Sequence, residues 1–229
     1  MKRKSHFKRN LFHFLEDLNS NNRREWFEQN RVRYERDVRE PVIAFIMDFA
    51  PRLKQISTKF IADPRPIGGS MFRIYRDVRF STDKRPYKTH AAARFPHLMS
   101  RDVHAPGFYL HLEPGNVFFG AGIWRPDAPT LSQIRDFIVA NPRPWKKSID
   151  DARFRKRWEL KGEALVRPPK GYDPAHPLIE DLKRKDFIAI TSCSEADALS
   201  PSFIDRFTES CDAASPLMKF LAKALAIQF

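Results

Sequence analysis

The sequence predicts an α+β fold, with a mainly antiparallel β-sheet of about four to six strands in the middle of the chain, flanked by N-terminal and C-terminal helices. Three observations lead there. Apolar residues recur at helical spacing up to about Ile56; the period drops to two beyond a loop marked by Pro64, Pro66, Gly68 and Gly69; and helical spacing returns from Thr130.

Leu11, Phe12, Phe14, Leu15 and Leu18 form one apolar stripe of a first helix. Asn22 and Glu25 have capping-box spacing, and Trp26, Phe27, Tyr34 and Val38 continue as a second helix. Pro41 suits the first turn of a third helix, Val42 to about Ile56, because its missing N–H is not needed there.

In the period-two region, Phe72, Ile74, Arg76, Val78 and Phe80 are expected on one face of a first strand, with Arg73, Tyr75, Asp77 and Arg79 on the other. Ala91 to Phe95 reads as the next strand. Phe108, Leu110 and Leu112 alternate with Tyr109, His111 and Glu113, and the turn Pro114-Gly115-Asn116 returns the chain into Val117 to Trp124, a β-hairpin.

Beyond the hairpin, Leu131, Ile134, Phe137 and Ile138 share a helical face, Arg153 to Glu159 continues the helical layer, and Gly162 to Asp173 is an extended connection. Asp186 to Ser192 reads as one more strand. Ser200-Pro201 and Ser215-Pro216 each set a capping hydroxyl before a first-turn proline and open two closing helices. The domain organisation expected is a basic, flexible tail over residues 1–9 and a single α+β domain over 10–229.

Lys and Arg number 41 against 28 Asp and Glu, a net charge of +13. The excess favours anionic partners, nucleic acid among them, and equally serves solubility. Cys193 and Cys211 are too few for a disulfide framework and have no metal-ligand spacing. Glu16 and Asp17 interrupt the apolar run that a signal peptide needs, and no run is long enough to span a membrane. A cytoplasmic protein is expected.

The chemistry concentrates in FRIYRDVRFSTDKRPYKTH, Phe72 to His90. Arg65 to Arg94 contains eight Lys or Arg and two acids. Arg76 falls on the apolar side of the expected strand, where a guanidinium needs a carboxylate, carbonyls or a ligand. Lys84, Lys88 and His90 supply donors around Tyr87 in the loop that follows, while Asp77 and Asp83 would position the cations and Arg79 lies beside them. The candidate ligand-binding residues are therefore Arg76, Asp77, Arg79, Asp83, Lys84, Tyr87, Lys88 and His90.

Catalytic signatures are sparse. Gly68-Gly69-Ser70 leads into a strand rather than a helix, so it lacks the context of a P-loop, and there is no nucleophile elbow. His90, His104 and His111 could meet across the sheet as metal ligands, but their spacing follows no metal-binding pattern and structural or surface histidines are the simpler reading. No cofactor, metal or catalytic residue is named from the sequence.

NNRREWF, the RD-x-RFS-x-DK-x-PYKTH core, APGFYLHLEPG, GAGIWRP and HPLIEDLKRKDF resemble the bacterial and fungal proteins of domain-of-unknown-function family 2461, from about Asn10 to Phe229. The resemblance implies one domain over most of the chain and no particular reaction, cofactor or substrate. The leading expectation is binding of a phosphate-bearing or other anionic ligand at 72–90. The alternatives are a metal-assisted phosphoesterase using Asp77, Asp83 and histidines, and a structural or interaction protein whose motif is an internal ion-pair network.

Overall fold

A computed structural model describes residues 4–99 and 106–229. Helix α1 (Arg9–Ser20) buries the stripe Leu11, Phe12, Phe14, Leu15 and Leu18. Phe7, within the segment expected as a tail, is 1% exposed and stacks on Phe45, so the core begins before α1. The second and third expected helices run together as α2 (Arg24–Gln29), α3 (Arg31–Tyr34), a π-helical turn (Glu35–Arg39) and α4 (Glu40–Ile56).

The expected capping box at Asn22 does not form. Arg23 holds the N-cap position without a side-chain bond. The Asn22 amide instead accepts from the backbone N–H of Tyr87 and donates to its carbonyl, each at 3.0 Å, pinning a segment 65 residues away.

The sheet is antiparallel at every pairing and has the order β1 (Ala91–Pro96), β2 (Gly107–Glu113), β3 (Asn116–Ile123), β5 (Phe187–Cys193), β4 (Glu159–Lys161). The expected β2–β3 hairpin forms, with Leu112 opposite Val117 and Glu113 opposite Asn116, so Asn116 already belongs to β3. Helices α5 (Ala128–Ala140), α6 (Pro142–Ile149) and α7 (Ala152–Arg157) separate β3 from β4; the short α8 (Ile179–Leu182) precedes β5 and α9 (Glu195–Ala198) follows it. Helices α10 (Phe203–Ala213) and α11 (Ser215–Ala224) close the fold as expected, but their N-cap positions fall to Ser202 and Ala214 rather than to Ser200 and Ser215, and neither has a side-chain cap bond.

Period two divides the sheet into two faces. Phe95, Phe108, Leu110, Leu112, Phe119 and Phe187 are all fully buried. Phe49 of α4 meets Phe95 at 4.8 Å between ring centroids, and Phe207 of α10 meets Phe119 at the same separation, so α4 and α10 seal this face with aromatic contacts. The alternate residues, Arg94, Tyr109, His111, Phe118, Gly120, Gly122, Ile188 and Ile190, point to the other face. Among the described residues, no helix is long and apolar enough to cross a membrane.

Candidate functional site

The expected strand over Phe72 to Phe80 is not formed. The segment is held at its base by Phe72 N–H to Ala92 O (2.9 Å), and by isolated bridges of Met71 with Ala93 and of Tyr75 with Tyr87. Arg76 N–H to Pro86 O and Lys88 N–H to Ile74 O close it into a long loop. Ile74 is buried, yet Phe80 is 96% exposed, so the alternation fails towards the tip. The cause is local. Asp77 and Asp83 each accept from the backbone N–H two residues on and hold the guanidinium of that residue, Arg79 or Arg85. Asp63 does the same with Arg65. Such side-chain turns compete with a ladder, and the repeated Asp-x-Arg spacing is their signal in the sequence.

The eight candidate residues fall into three groups. Arg76 does not face the core; it lies about a quarter exposed and donates to Asp83 at 2.5 Å, sharing that carboxylate with Arg85 at 2.8 Å. Asp77 pairs with Arg79 at 2.7 Å, and the Lys84 ammonium donates to Val78 O. Hydrogen bonds from the Arg79 side chain and backbone hold the Asp77 carboxyl down at about 2, and those from Arg85 and then Arg76 hold Asp83 far below the usual carboxylate range. These five residues thus satisfy one another along the loop. Tyr87 is buried and stacked on Phe27 at 4.2 Å, fixing the loop to α2. Of the eight, only Lys88 and His90 reach the sheet face opposite α4 and α10, where they line a cavity among the described residues.

That cavity, of about 580 Å³, has walls of Phe72, Tyr109, Phe118 and Trp124, and a floor of Gly120, Gly122, Ile188 and Ile190. The two glycines lower the floor. A Cβ on Gly120 would sit 3.3 Å from the Tyr109 Cβ, and Gly122, at φ +123°, would drive a Cβ to within 2.0 Å of Phe187 O. Lys88 places its ammonium over the Phe72 ring at 5.3 Å and donates to Arg73 O at 2.8 Å. Burial, reinforced by the nearby Arg73, lowers its pKa. Arg94 also lines the space.

At one end stands a polar cluster that the hairpin assembles. His111 stacks on Phe118 (4.5 Å) and lies beside His90 (4.4 Å). Its Nδ1 bonds the Tyr109 hydroxyl at 2.9 Å, and its Nε2 bonds Glu113 Oε2 at 3.1 Å. Thr89 and Asn116 each donate to Glu113. Burial and the adjacent His111 push His90 down to about 4, and burial lowers His111, so both imidazoles are neutral at pH 7. Burial opposes ionisation of Glu113, but its hydrogen bonds from Asn116 and His111 prevail and keep it a carboxylate. Among the described residues, His90, His111 and Glu113 form a group whose ligand atoms lie within 4.8 Å of one another. His104, the third histidine considered from sequence, is outside the described residues.

Sequence reasoning named His111 only as one of three scattered histidines and missed Tyr109, Glu113, Gly120 and Gly122 as parts of a site. Their signal was parity. Tyr109, His111 and Glu113 occupy the positions opposite Phe108, Leu110 and Leu112 in β2, and two glycines two apart on β3 mark a bare strip on the same face.

A second groove, of about 740 Å³, runs along the β4–β5 edge between α7 and α10. Several of its cations are already matched: Arg157 with Glu209, Lys161 with Glu159 and Arg206 with Asp197, each at 2.6 Å. It is larger than the sheet-face cavity and more cationic, but three of its five cations are already held in these close ion pairs.

An antiparallel sheet with helices sealing one face and a lined cavity on the other defines an α+β protein. The chain belongs to the family described as conserved hypothetical protein (DUF2461), whose model matches residues 10–220. No curated protein matches it.

Proposed function

We propose that the protein binds a small anionic molecule with a planar or apolar body in the sheet-face cavity, the anionic end against Lys88 and the body between the aromatic walls. The observation that carries this reading is the state of Lys88. Its ammonium is partly buried, touches an aromatic face and one carbonyl, and has no carboxylate partner among the described residues. A desolvated cation left this way is costly, and an anion arriving in the cavity would supply the missing charge. The cavity volume falls in the range of small-molecule sites, and the walls supply stacking area.

The reading narrows the basic motif to its last residues. Arg76, Asp77, Arg79, Asp83 and Lys84 support the loop, while Lys88 and His90 meet the ligand. Residues 10–229 act as one domain, since the buried side chains from Phe7 to Ala224 form one cluster. A cytoplasmic setting suits two cysteines that are free thiols.

The test uses an aromatic sulfonate dye, followed by the dye's own emission and by quenching of Trp124, which is half exposed at the cavity wall. Lys88→Met should weaken dye binding by roughly 10- to 100-fold, the worth of a hydrogen bond to a charged group. An aromatic carboxylate should compete, and its neutral amide should not. Equal affinity in the wild type and Lys88→Met would sink the reading.

A further inference from the structure

We propose that His90, His111 and Glu113 form a binding site for a divalent first-row transition metal of the zinc type, with open coordination positions reached from the sheet-face cavity. The donor set is two imidazoles and one carboxylate, which suits zinc, iron or nickel rather than the all-oxygen shells of magnesium and calcium. Three protein ligands leave room for a water or a ligand atom on the ion. The metal site shares His90 and the cavity with the anion reading but uses none of the charge on Lys88, so loss of Lys88 tells the two apart.

Two observations go beyond the presence of three donors. The first is the support already built around them. Tyr109 fixes the His111 ring through Nδ1 and leaves Nε2 towards Glu113, while Thr89 and Asn116 hold both carboxylate oxygens. Metal-binding histidines and carboxylates are oriented by such outer hydrogen bonds. The second is His90, whose contact is the His111 ring and whose nitrogens make no hydrogen bond to the described residues. Turning such a ring breaks no hydrogen bond to the described residues. Zinc–nitrogen bonds of about 2.0–2.1 Å place tetrahedral donors roughly 3.4 Å apart. His111 and Glu113 are already at 3.1 Å, and with all three ligand atoms within 4.8 Å of one another metal binding requires His90 to move inward by roughly 1–1.5 Å.

The experiment uses the untagged full-length chain, stripped with a chelator, dialysed and titrated with cobalt(II), with zinc(II) as competitor. One equivalent of cobalt should bind and develop the visible d–d bands of a low-symmetry nitrogen–oxygen site, and zinc should bleach them. His90→Ala, at a side chain without hydrogen bonds, should keep its circular dichroism spectrum and lose the bands; Glu113→Gln should lose them too. Tyr109→Phe should bind about 10- to 100-fold more weakly, as loss of an orienting group does, whereas Lys88→Met, which removes a cation that acts on His90, should keep the cobalt bands with an affinity no weaker than the wild type and lose only the dye. The proposal is overturned if the wild type takes up no stoichiometric cobalt, or if His90→Ala and Glu113→Gln both retain the wild-type spectrum.

Discussion

Leu110 and His111 are neighbours on β2, and their side chains enter different environments. Leu110 joins Phe95, Phe108 and Phe119 under α4 and α10, in a face of fully buried apolar groups. His111 joins Tyr109, Phe118 and the bare backbone of Gly120 and Gly122, beside a cavity. One face gains by excluding water and leaving no space; the other keeps space and polar groups, which a structural core would not retain. The difference is that the helix side carries the packed core, while the other side holds the cavity to which the proposed binding is assigned.

The sharpest way to break that division is to remove the same side chain from each face. Phe119→Ala should cost about 3–5 kcal/mol in chemical denaturation, because the cavity left among Phe203, Phe207 and the sheet cannot collapse. Phe118→Ala, at a partly exposed position, gives up its ring contacts with His111 and Tyr109 and less buried area, so its cost should be clearly below that of Phe119→Ala, while dye binding falls. If the two variants were equally destabilised and the dye bound Phe118→Ala unchanged, the faces would not differ in role.

Asn22→Ala comes next in size. It strips the partners from both backbone groups of Tyr87, and leaving buried polar groups unsatisfied costs about 1–3 kcal/mol. It should also weaken dye binding, since Tyr87 precedes Lys88 and anchors the end of the loop that enters the cavity. Asn22→Asp, which keeps one acceptor for the Tyr87 N–H, should recover part of both losses. A variant that lost stability but bound dye normally would separate the loop's anchoring from the site.

How much of this could be read from the sequence follows the physics of each signal. The hairpin was legible because strict alternation and a turn glycine specify register, and the terminal helices because their stripes repeat over several turns. The strand over 72–80 misled because four apolar residues, Phe72, Ile74, Val78 and Phe80, satisfy period two whether or not a partner strand supplies the ladder. Whether one does depends on the Asp-x-Arg turns, which satisfy the backbone locally. Asn22 misled in the same way, since capping-box spacing does not exclude a distant backbone partner. The cavity was legible only at its edge, through Lys88 and His90. Its other residues sit on strands far along the chain, and the pairing that joins them appears only once β2, β3 and β5 are in register.

The smallest effects belong to the loop tip, where the sequence places most charge. If Arg76 were the hub of an internal network, Arg76→Ala would unfold the protein. Its partner Asp83 keeps Arg85 in that variant, and the pair is partly exposed, so the melting temperature should move by no more than about 3 °C. Arg79→Ala should move it less and show itself in titration. Asp77, held at about 2 by Arg79, should rise towards the ordinary carboxylate value of about 3.9 once the guanidinium is gone, as read from its carboxyl carbon shift by NMR. The sign follows from linkage. A carboxyl that binds its proton more weakly in the folded state adds stability above its unfolded pKa of about 3.9 and loses it as pH falls through 2; Arg79→Ala removes this contribution and flattens the stability curve in that window. Neither substitution should change dye or cobalt binding. If either did, the tip would be part of the site, and the boundary drawn between Lys84 and Lys88 would have to move outward along the loop.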